Sequence, residues 1–179
     1  MIKSIIRGDA ESRSGTEIGA MIYGIVSTVW LIIGMQAGDV RSPWLIAPSS
    51  IALAVLLIMT AVQLSRKNID FANQENSEQG KSLGIVFGLQ GAVIGVGVGV
   101  LAALGQVQWI VPFIATVVGL HFIPVGRIFR LPLDYALAAM ILMLVLIATV
   151  VMPETAWAAV ISLGMMALLW LAGIGRLMQ

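Results

Sequence analysis

The side chains best suited to chemistry lie in one short stretch of the sequence, residues 119–135. This stretch holds His121, the only histidine of the chain, together with Arg127, Arg130 and Asp134. A histidine can act as a general base, as a proton-sensitive switch or as a ligand to a metal or haem. Arginines at this spacing are suited to carboxylates and phosphates. A binding site is therefore to be sought here first.

The residue types that most catalytic and metal sites need are missing from the sequence. The chain has no cysteine, which excludes disulfides, thiolate metal sites and cysteine nucleophiles. Zinc usually takes three or four protein ligands, and a general base works with a nucleophile and an orienting acid; no compact set of either kind is visible. We therefore predict no catalytic residue and no metal site, and we consider an enzyme the less favoured class. The sequence does not identify a cofactor.

The composition predicts a protein whose outer surface faces lipid. Hydrophobic residues make up 59% of the 179 positions, charged residues make up 11%, and the mean hydropathy is +1.00. Soluble domains carry roughly 25% charged residues because water must solvate their surface. This composition excludes a water-soluble globule. The net charge of +1 gives no reason to expect a nucleic-acid partner.

The apolar segments predict an all-α integral membrane bundle forming one domain. A helix needs roughly 20 apolar residues to cross a bilayer. Six segments of about that length predict six transmembrane helices, at 17–38, 45–64, 82–104, 107–123, 133–152 and 155–174. Residues 65–81 are predicted to form a polar cytoplasmic loop, and tight turns are predicted at 105–108 and 152–155.

The basic residues predict the orientation of this bundle. Arg41 alone falls on the predicted outer side, and the others fall on the inner side: Lys3, Arg7, Arg13, Arg66, Lys67, Lys81, Arg127, Arg130 and Arg176. An excess of Lys and Arg marks cytoplasmic segments, so both termini are predicted to be cytoplasmic. The tryptophans that follow the outer turns fit the same orientation, because Trp favours the membrane interface. Compactness and the lack of a signal peptide indicate a bacterial inner membrane.

The third predicted helix carries two further features. The first is a stripe of glycines on one side, made up of Gly84, Gly88, Gly91, Gly95 and Gly99. Overlapping GxxxG motifs of this kind allow close helix packing in membranes, and packing inside the bundle, a homodimer interface and a moving or pore-lining helix all remain open. The second is Gln90, roughly opposite the stripe. A buried amide needs partners, so Gln90 either forms an interhelical hydrogen bond or lines a polar cavity.

The inner face is predicted to hold the remaining polar groups. His121 is expected near the cytoplasmic end of the fourth helix, followed by a short amphipathic segment on the inner leaflet over residues 124–132. Asp134 is expected in the first turn of the fifth helix, paired with Arg130. Arg127 and Arg130 either anchor the topology or bind an anionic lipid headgroup, phosphate or carboxylate.

The stretch Gly-Leu-His-Phe-x-Pro at residues 119–124, followed by arginine, resembles segments of uncharacterised small multi-pass bacterial membrane proteins. That resemblance implies a membrane protein and carries no activity.

Two functional classes remain open. The first is transport or permeation of a small solute, with His121, Arg127 and Arg130 at the cytoplasmic mouth and Gln90 deeper in the bundle. The second is a non-catalytic membrane module, such as a lipid-binding, sensory or accessory subunit. A water-filled cavity that reaches Gln90 would favour the first class, and a dry, close-packed bundle would favour the second.

Overall fold

The fold is built from α-helices. A computed structural model describes residues 22–38, Val55, Met59 and 76–177. Helix accounts for 93% of these described residues, and none of them lies in a β-strand. The helices are α1, described over Ile22–Ala37, α2 (Asn76–Ala103), α3 (Ile110–Phe129), α4 (Pro132–Val151) and α5 (Glu154–Leu177), with a short 3₁₀ helix at Val107–Trp109.

Four of these helical segments are long and apolar enough to cross a membrane. They are Lys81–Ala103, Val107–Phe129, Pro132–Val151 and Glu154–Arg176, and α1 is a shorter apolar helix. The predicted all-helical fold is therefore confirmed, and the four helices are consistent with a multi-pass membrane protein, whereas the count of six spans is not confirmed. The predicted span at 45–64 lies outside the described residues except for Val55 and Met59, which are both helical.

The turns between the long helices lie where the sequence predicts them. Gly105 ends the α2 segment with a φ of +71°, a left-handed conformation that glycine adopts without steric cost. Residues 152–153 separate α4 from α5. The rings of Trp109 and Trp157 lie 4.7 Å apart between centroids. The α2–α3 and α4–α5 turns are therefore neighbours at one end of the bundle.

The predicted boundary at the end of α3 is wrong. This helix does not end at residue 123, and residues 124–132 are not a separate surface segment, because α3 continues through Pro124 to Phe129. Proline removes only one backbone donor, and membrane helices tolerate that loss because neighbouring groups compensate. The helix ends where Arg130 adopts a left-handed conformation, with φ 55° and ψ 36°. Pro132 then begins α4.

The polar segment predicted at 65–81 is helical in its last residues, while the apolar span begins at Lys81, close to the predicted start at residue 82. Helix α2 is described from Asn76 onward, so the last residues of the predicted loop at 65–81 belong to a helix that starts before the apolar segment. Residues 65–75 lie outside the described part of the chain.

Helix α3 lies between its neighbours, and it contacts α2, α4 and α5. Small residues allow it to approach α4 closely: a Cβ built on Gly119 would lie 2.9 Å from Cγ2 of Ile141, and one built on Gly126 would lie 3.1 Å from Cβ of Asp134. Ile141 of α4 and Ile161 of α5 are both fully buried and belong to the apolar core that these helices share.

Helix α1 runs antiparallel to α5. The aromatic ring of Tyr23 lies beside the guanidinium of Arg176. Farther along α1, a Cβ built on Gly34 would lie 3.1 Å from Ser162. Tyr23 and Trp30 are both almost fully buried, which shows that α1 is part of the bundle and not an appendage.

The glycine stripe on α2 has no described neighbour. A Cβ built on any of its members meets nothing within 4 Å in the described part of the chain, and this holds for Gly84, Gly88, Gly91, Gly95 and Gly99. Close packing through this stripe therefore stays a prediction. The α2 glycine that does contact α3 is Gly97, where a Cβ would collide with the ring of Phe113.

Candidate ligand-binding pocket

A buried ion pair joins the first turn of α4 to the last turn of α5. Nη2 of Arg176 lies 2.5 Å from both carboxylate oxygens of Asp134. The side chain of Asp134 is fully buried, and that of Arg176 is 1% exposed. Pro132 suits the first position of α4 because its missing N–H needs no partner there. Asp134 then lies where the helix dipole favours negative charge, and Arg176 lies where the dipole favours positive charge.

Tyr23 of α1 completes this group, which we refer to as the Tyr23–Asp134–Arg176 cluster. Its hydroxyl donates a hydrogen bond of 2.7 Å to Oδ1 of Asp134. The guanidinium carbon of Arg176 lies 4.8 Å from the centre of the Tyr23 ring, which is within cation–π distance. The cluster therefore connects α1, α4 and α5 through polar contacts inside a largely apolar bundle.

The pairing of Asp134 with Arg130 is a wrong prediction. Arg130 is exposed in the turn before α4, while Asp134 is directed into the bundle toward Arg176. Sequence reasoning assigned Arg176 only to topology and missed Tyr23 as a site residue. The signal was present, because Asp134 and Arg176 are ionisable residues in terminal turns at the same end of an antiparallel hairpin.

A cavity of about 70 Å³ lies beside the cluster. Helices α1, α2, α3 and α5 all contribute to its wall. The wall is mostly aliphatic and aromatic, and includes Val26, Phe87, Val118, Phe122 and Leu169. Its polar members are Tyr23, Gln90, His121 and Arg176. The cavity thus brings together two candidate residues from the sequence, Gln90 and His121, and two that were not candidates, Tyr23 and Arg176.

His121 lies deeper in the bundle than predicted. Since α3 extends to Phe129, His121 is roughly 12 Å from that end at 1.5 Å per residue and not near the helix terminus. Its side chain is 7% exposed, and its ring lies 4.6 Å from that of Phe87 on α2. Within the described part of the chain, Nδ1 of His121 has no hydrogen-bond partner.

Gln90 faces the same cavity from α2. Its Oε1 atom is buried, and no described residue donates a hydrogen bond to it. The interhelical hydrogen bond considered for Gln90 is therefore not found among the described residues. Gln90 lies in the wall of a cavity, but that wall is mostly apolar, unlike the polar cavity considered as the alternative. A buried polar atom without a partner costs about 1–3 kcal/mol. Two such atoms on one cavity wall indicate a space suited to a polar group.

Arg127 and Arg130 do not belong to this pocket. Both side chains are exposed, and neither lines the cavity. The structure thus divides the predicted candidate residues. His121 and Gln90 lie in the pocket wall, whereas Arg127 and Arg130 lie outside it. Within the described ranges, no three histidine or carboxylate side chains converge to form a metal site.

The helices and the composition are those of an integral, multi-pass helical membrane protein. No protein-family model matches the chain, and neither a curated protein nor a solved structure shows significant similarity to it.

Proposed function

We propose that this protein is a membrane binding module that holds a small amphipathic molecule in the pocket between α1, α2, α3 and α5. The observation that carries the proposal is the cavity itself, whose apolar wall contains two buried polar atoms without described partners, Oε1 of Gln90 and Nδ1 of His121. Small-molecule sites are typically apolar cavities with a few well-placed polar groups.

The proposal also includes the orientation of the bundle and the type of membrane in which it lies. Arg127 and Arg176 lie in the last turns of α3 and α5, and Lys81 lies near the start of α2. Because consecutive helices of the hairpins alternate in direction, these residues fall at one end of the bundle, opposite the Trp109–Trp157 contact. The positive-inside tendency supports a cytoplasmic position for that end and for both termini, and a bacterial inner membrane as the location.

Co-purification tests the binding proposal directly. Native mass spectrometry of the full chain released from detergent micelles should show a retained small molecule. Gln90→Leu and His121→Phe should reduce the retained fraction several-fold, because each removes one polar atom from the cavity wall.

Ser162→Ala is the matched control. Ser162 is also fully buried with an Oγ that lacks a described partner, but it does not line the cavity. Equal retention in wild type, Gln90→Leu and His121→Phe would contradict the proposal.

Transport of a small solute is the second candidate function. The observation that favours it is the group of polar side chains in the cavity wall, Tyr23, Gln90, His121 and Arg176, since buried polar residues in membrane helices often mark solute pathways. Uptake into reconstituted vesicles should then exceed that of empty vesicles and fall in Gln90→Leu. If protein that retains a bound molecule gives no more uptake than empty vesicles, the binding module is favoured over transport.

A further inference from the structure

The charge balance of the pocket restricts the ligand that it suits. Among the described residues of its wall, Arg176 is the one with a permanent charge. The Asp134 carboxylate contacts Arg176 through both of its oxygens. The described lining of the cavity is therefore neutral overall, and transferring an ionised group into such a lining is costly unless it is paired. The pocket is poorly suited to a phosphate or carboxylate headgroup.

The two polar atoms restrict the ligand further. Oε1 of Gln90 is an amide oxygen and only accepts hydrogen bonds, whereas Nδ1 of His121 donates or accepts according to the tautomer. A carboxylate or phosphodiester oxygen cannot donate to the Gln90 oxygen, and an alkane satisfies neither atom. A hydroxyl group both donates and accepts, so it satisfies Gln90 and is compatible with either tautomer of His121.

The size and position of the cavity indicate how such a molecule would be held. A volume of about 70 Å³ accommodates a headgroup with a few carbon atoms, because a cavity of about 150 Å³ takes a benzene molecule. Phe87 forms part of the wall and is 39% exposed. The pocket therefore reaches the surface of the described helices beside α2, where an attached hydrocarbon chain can leave it and enter lipid.

We infer that the pocket binds a neutral amphipathic molecule through a hydroxyl group, with its hydrocarbon chain passing Phe87 into the bilayer. This inference rests on the proposed binding function and specifies its ligand class. It replaces the anionic lipid headgroup that the inner-face arginines suggest from sequence, because Arg127 and Arg130 lie outside the pocket and Arg176 is held by Asp134.

The single histidine of the chain makes the test direct. In protein labelled with ring-¹⁵N histidine, His121 gives the only ring signals. The full-length protein in lipid nanodiscs is titrated with three probes that share one hydrocarbon chain: dodecanol, dodecanoate and dodecane. Dodecanol is expected to shift the Nδ1 resonance saturably, with an apparent affinity about tenfold tighter than that of either other probe, as one neutral hydrogen bond allows.

Variants separate binding from general structural effects. Gln90→Leu should weaken dodecanol binding about tenfold while leaving the His121 signal of the ligand-free protein in a folded environment. Displacement of bound, isotope-labelled dodecanol provides a second readout for variants that lack the histidine. By that measurement His121→Phe should lose binding, His121→Asn should retain part of it because its amide lies near the position of Nδ1, and Ser162→Ala should match wild type.

The outcomes distinguish the ligand class from the proposed function. Tighter binding of dodecanoate, or equal binding of dodecane and dodecanol, would overturn the hydroxyl specificity while leaving a binding pocket in place. If no probe shifted the His121 resonance and none were displaced in any variant, both the ligand class and the binding function would be rejected.

Discussion

At the scale of single residues, Asp134 and Arg176 are stable in the bundle only as a pair. Each would be costly to bury alone, because desolvation of an ion in an apolar interior exceeds what an unpaired charge recovers. Both oxygens of Asp134 contact Arg176, and Tyr23 donates a further hydrogen bond to one of them. The carboxylate therefore exchanges its hydration for fixed partners on two other helices.

The first prediction concerns this ion pair. Asp134→Asn should lower the free energy of unfolding by about 3–5 kcal/mol, since it removes the buried carboxylate that Arg176 contacts. Arg176→Gln should cost less in the Asp134→Asn background than in wild type, with a coupling energy of about 0.5–3 kcal/mol. Denaturant unfolding in detergent micelles measures all four proteins of this cycle.

Glu154→Gln is the control for the ion-pair cycle. Like Asp134, Glu154 is the acidic residue in the first turn of its helix, but its side chain is exposed. Its replacement should change the free energy of unfolding by no more than about 0.5 kcal/mol. Additive effects of Asp134→Asn and Arg176→Gln would show that the two charges do not stabilise each other.

At the scale of helices, glycine has different consequences on α2 and on α3. On α3, Gly119 and Gly126 face α4 so closely that an added methyl group would crowd Ile141 or the first turn of α4. On α2, Gly91 and the other stripe glycines have no described neighbour. The α3 glycines therefore determine how closely α3 and α4 pack, and through Gly126 they also determine where Asp134 lies.

The second prediction compares these two helices. Gly119→Val should destabilise the bundle by about 1–3 kcal/mol, because the larger side chain overpacks the contact with Ile141. Gly91→Val introduces the same side chain in a helix without that contact, so it should cost much less. Thermal unfolding followed by circular dichroism compares the two variants.

Size-exclusion chromatography with light scattering extends the glycine comparison to assembly. A loss of stability or a change of oligomeric state in Gly91→Val would mean that the stripe packs against a second copy or against residues outside the described part. A Gly119→Val protein as stable as wild type would contradict the close α3–α4 packing.

The sequence predicted helices and turns better than it predicted the site, for physical reasons. Hydrophobic length and the turn residues at 105–108 and 152–155 are local features, so they can be read without a structure. The end of α3 could not be placed, because Pro124 suggests a break that backbone bonding in an apolar environment overrides. His121 was consequently assigned a position too close to the end of its helix.

The site depended on contacts between residues far apart in the chain. Gln90 and His121 were recognised as polar groups in apolar helices, but their shared cavity follows from the packing of α2 against α3. The partner of Asp134 was assigned from proximity in sequence to Arg130, whereas the fold selects Arg176, across the α4–α5 hairpin. Tyr23 carries no sequence signal that distinguishes it from an interfacial tyrosine.

At the scale of the whole molecule, the two ends of the bundle differ in chemistry. One end holds the turns that bring Trp109 and Trp157 together. The other end holds the exposed Arg127 and Arg130 and lies near the buried Tyr23–Asp134–Arg176 cluster. Because Lys and Arg are retained on the cytoplasmic side whereas Trp favours either interface, the basic end carries the stronger indication of orientation.

The third prediction tests this orientation with a chain that suits the experiment, since it contains no cysteine. Single cysteines are introduced as Gln108→Cys, in the exposed turn before α3, and as Arg127→Cys, in its exposed last turn. In sealed right-side-out vesicles, a membrane-impermeant maleimide should label Gln108→Cys directly. Arg127→Cys should be labelled only after permeabilisation, because its position requires the reagent to cross the bilayer.

The cysteine-free protein gives the background, and labelling after permeabilisation confirms that both thiols are reactive. The reverse pattern would place the basic end outside. Immediate labelling of both variants would mean that the helix from 107 to 129 does not span the bilayer or that the protein inserts in two orientations. The labelling pattern also shows which side of the membrane the His121 pocket lies nearer to. It therefore indicates the leaflet from which the proposed amphipathic ligand would enter.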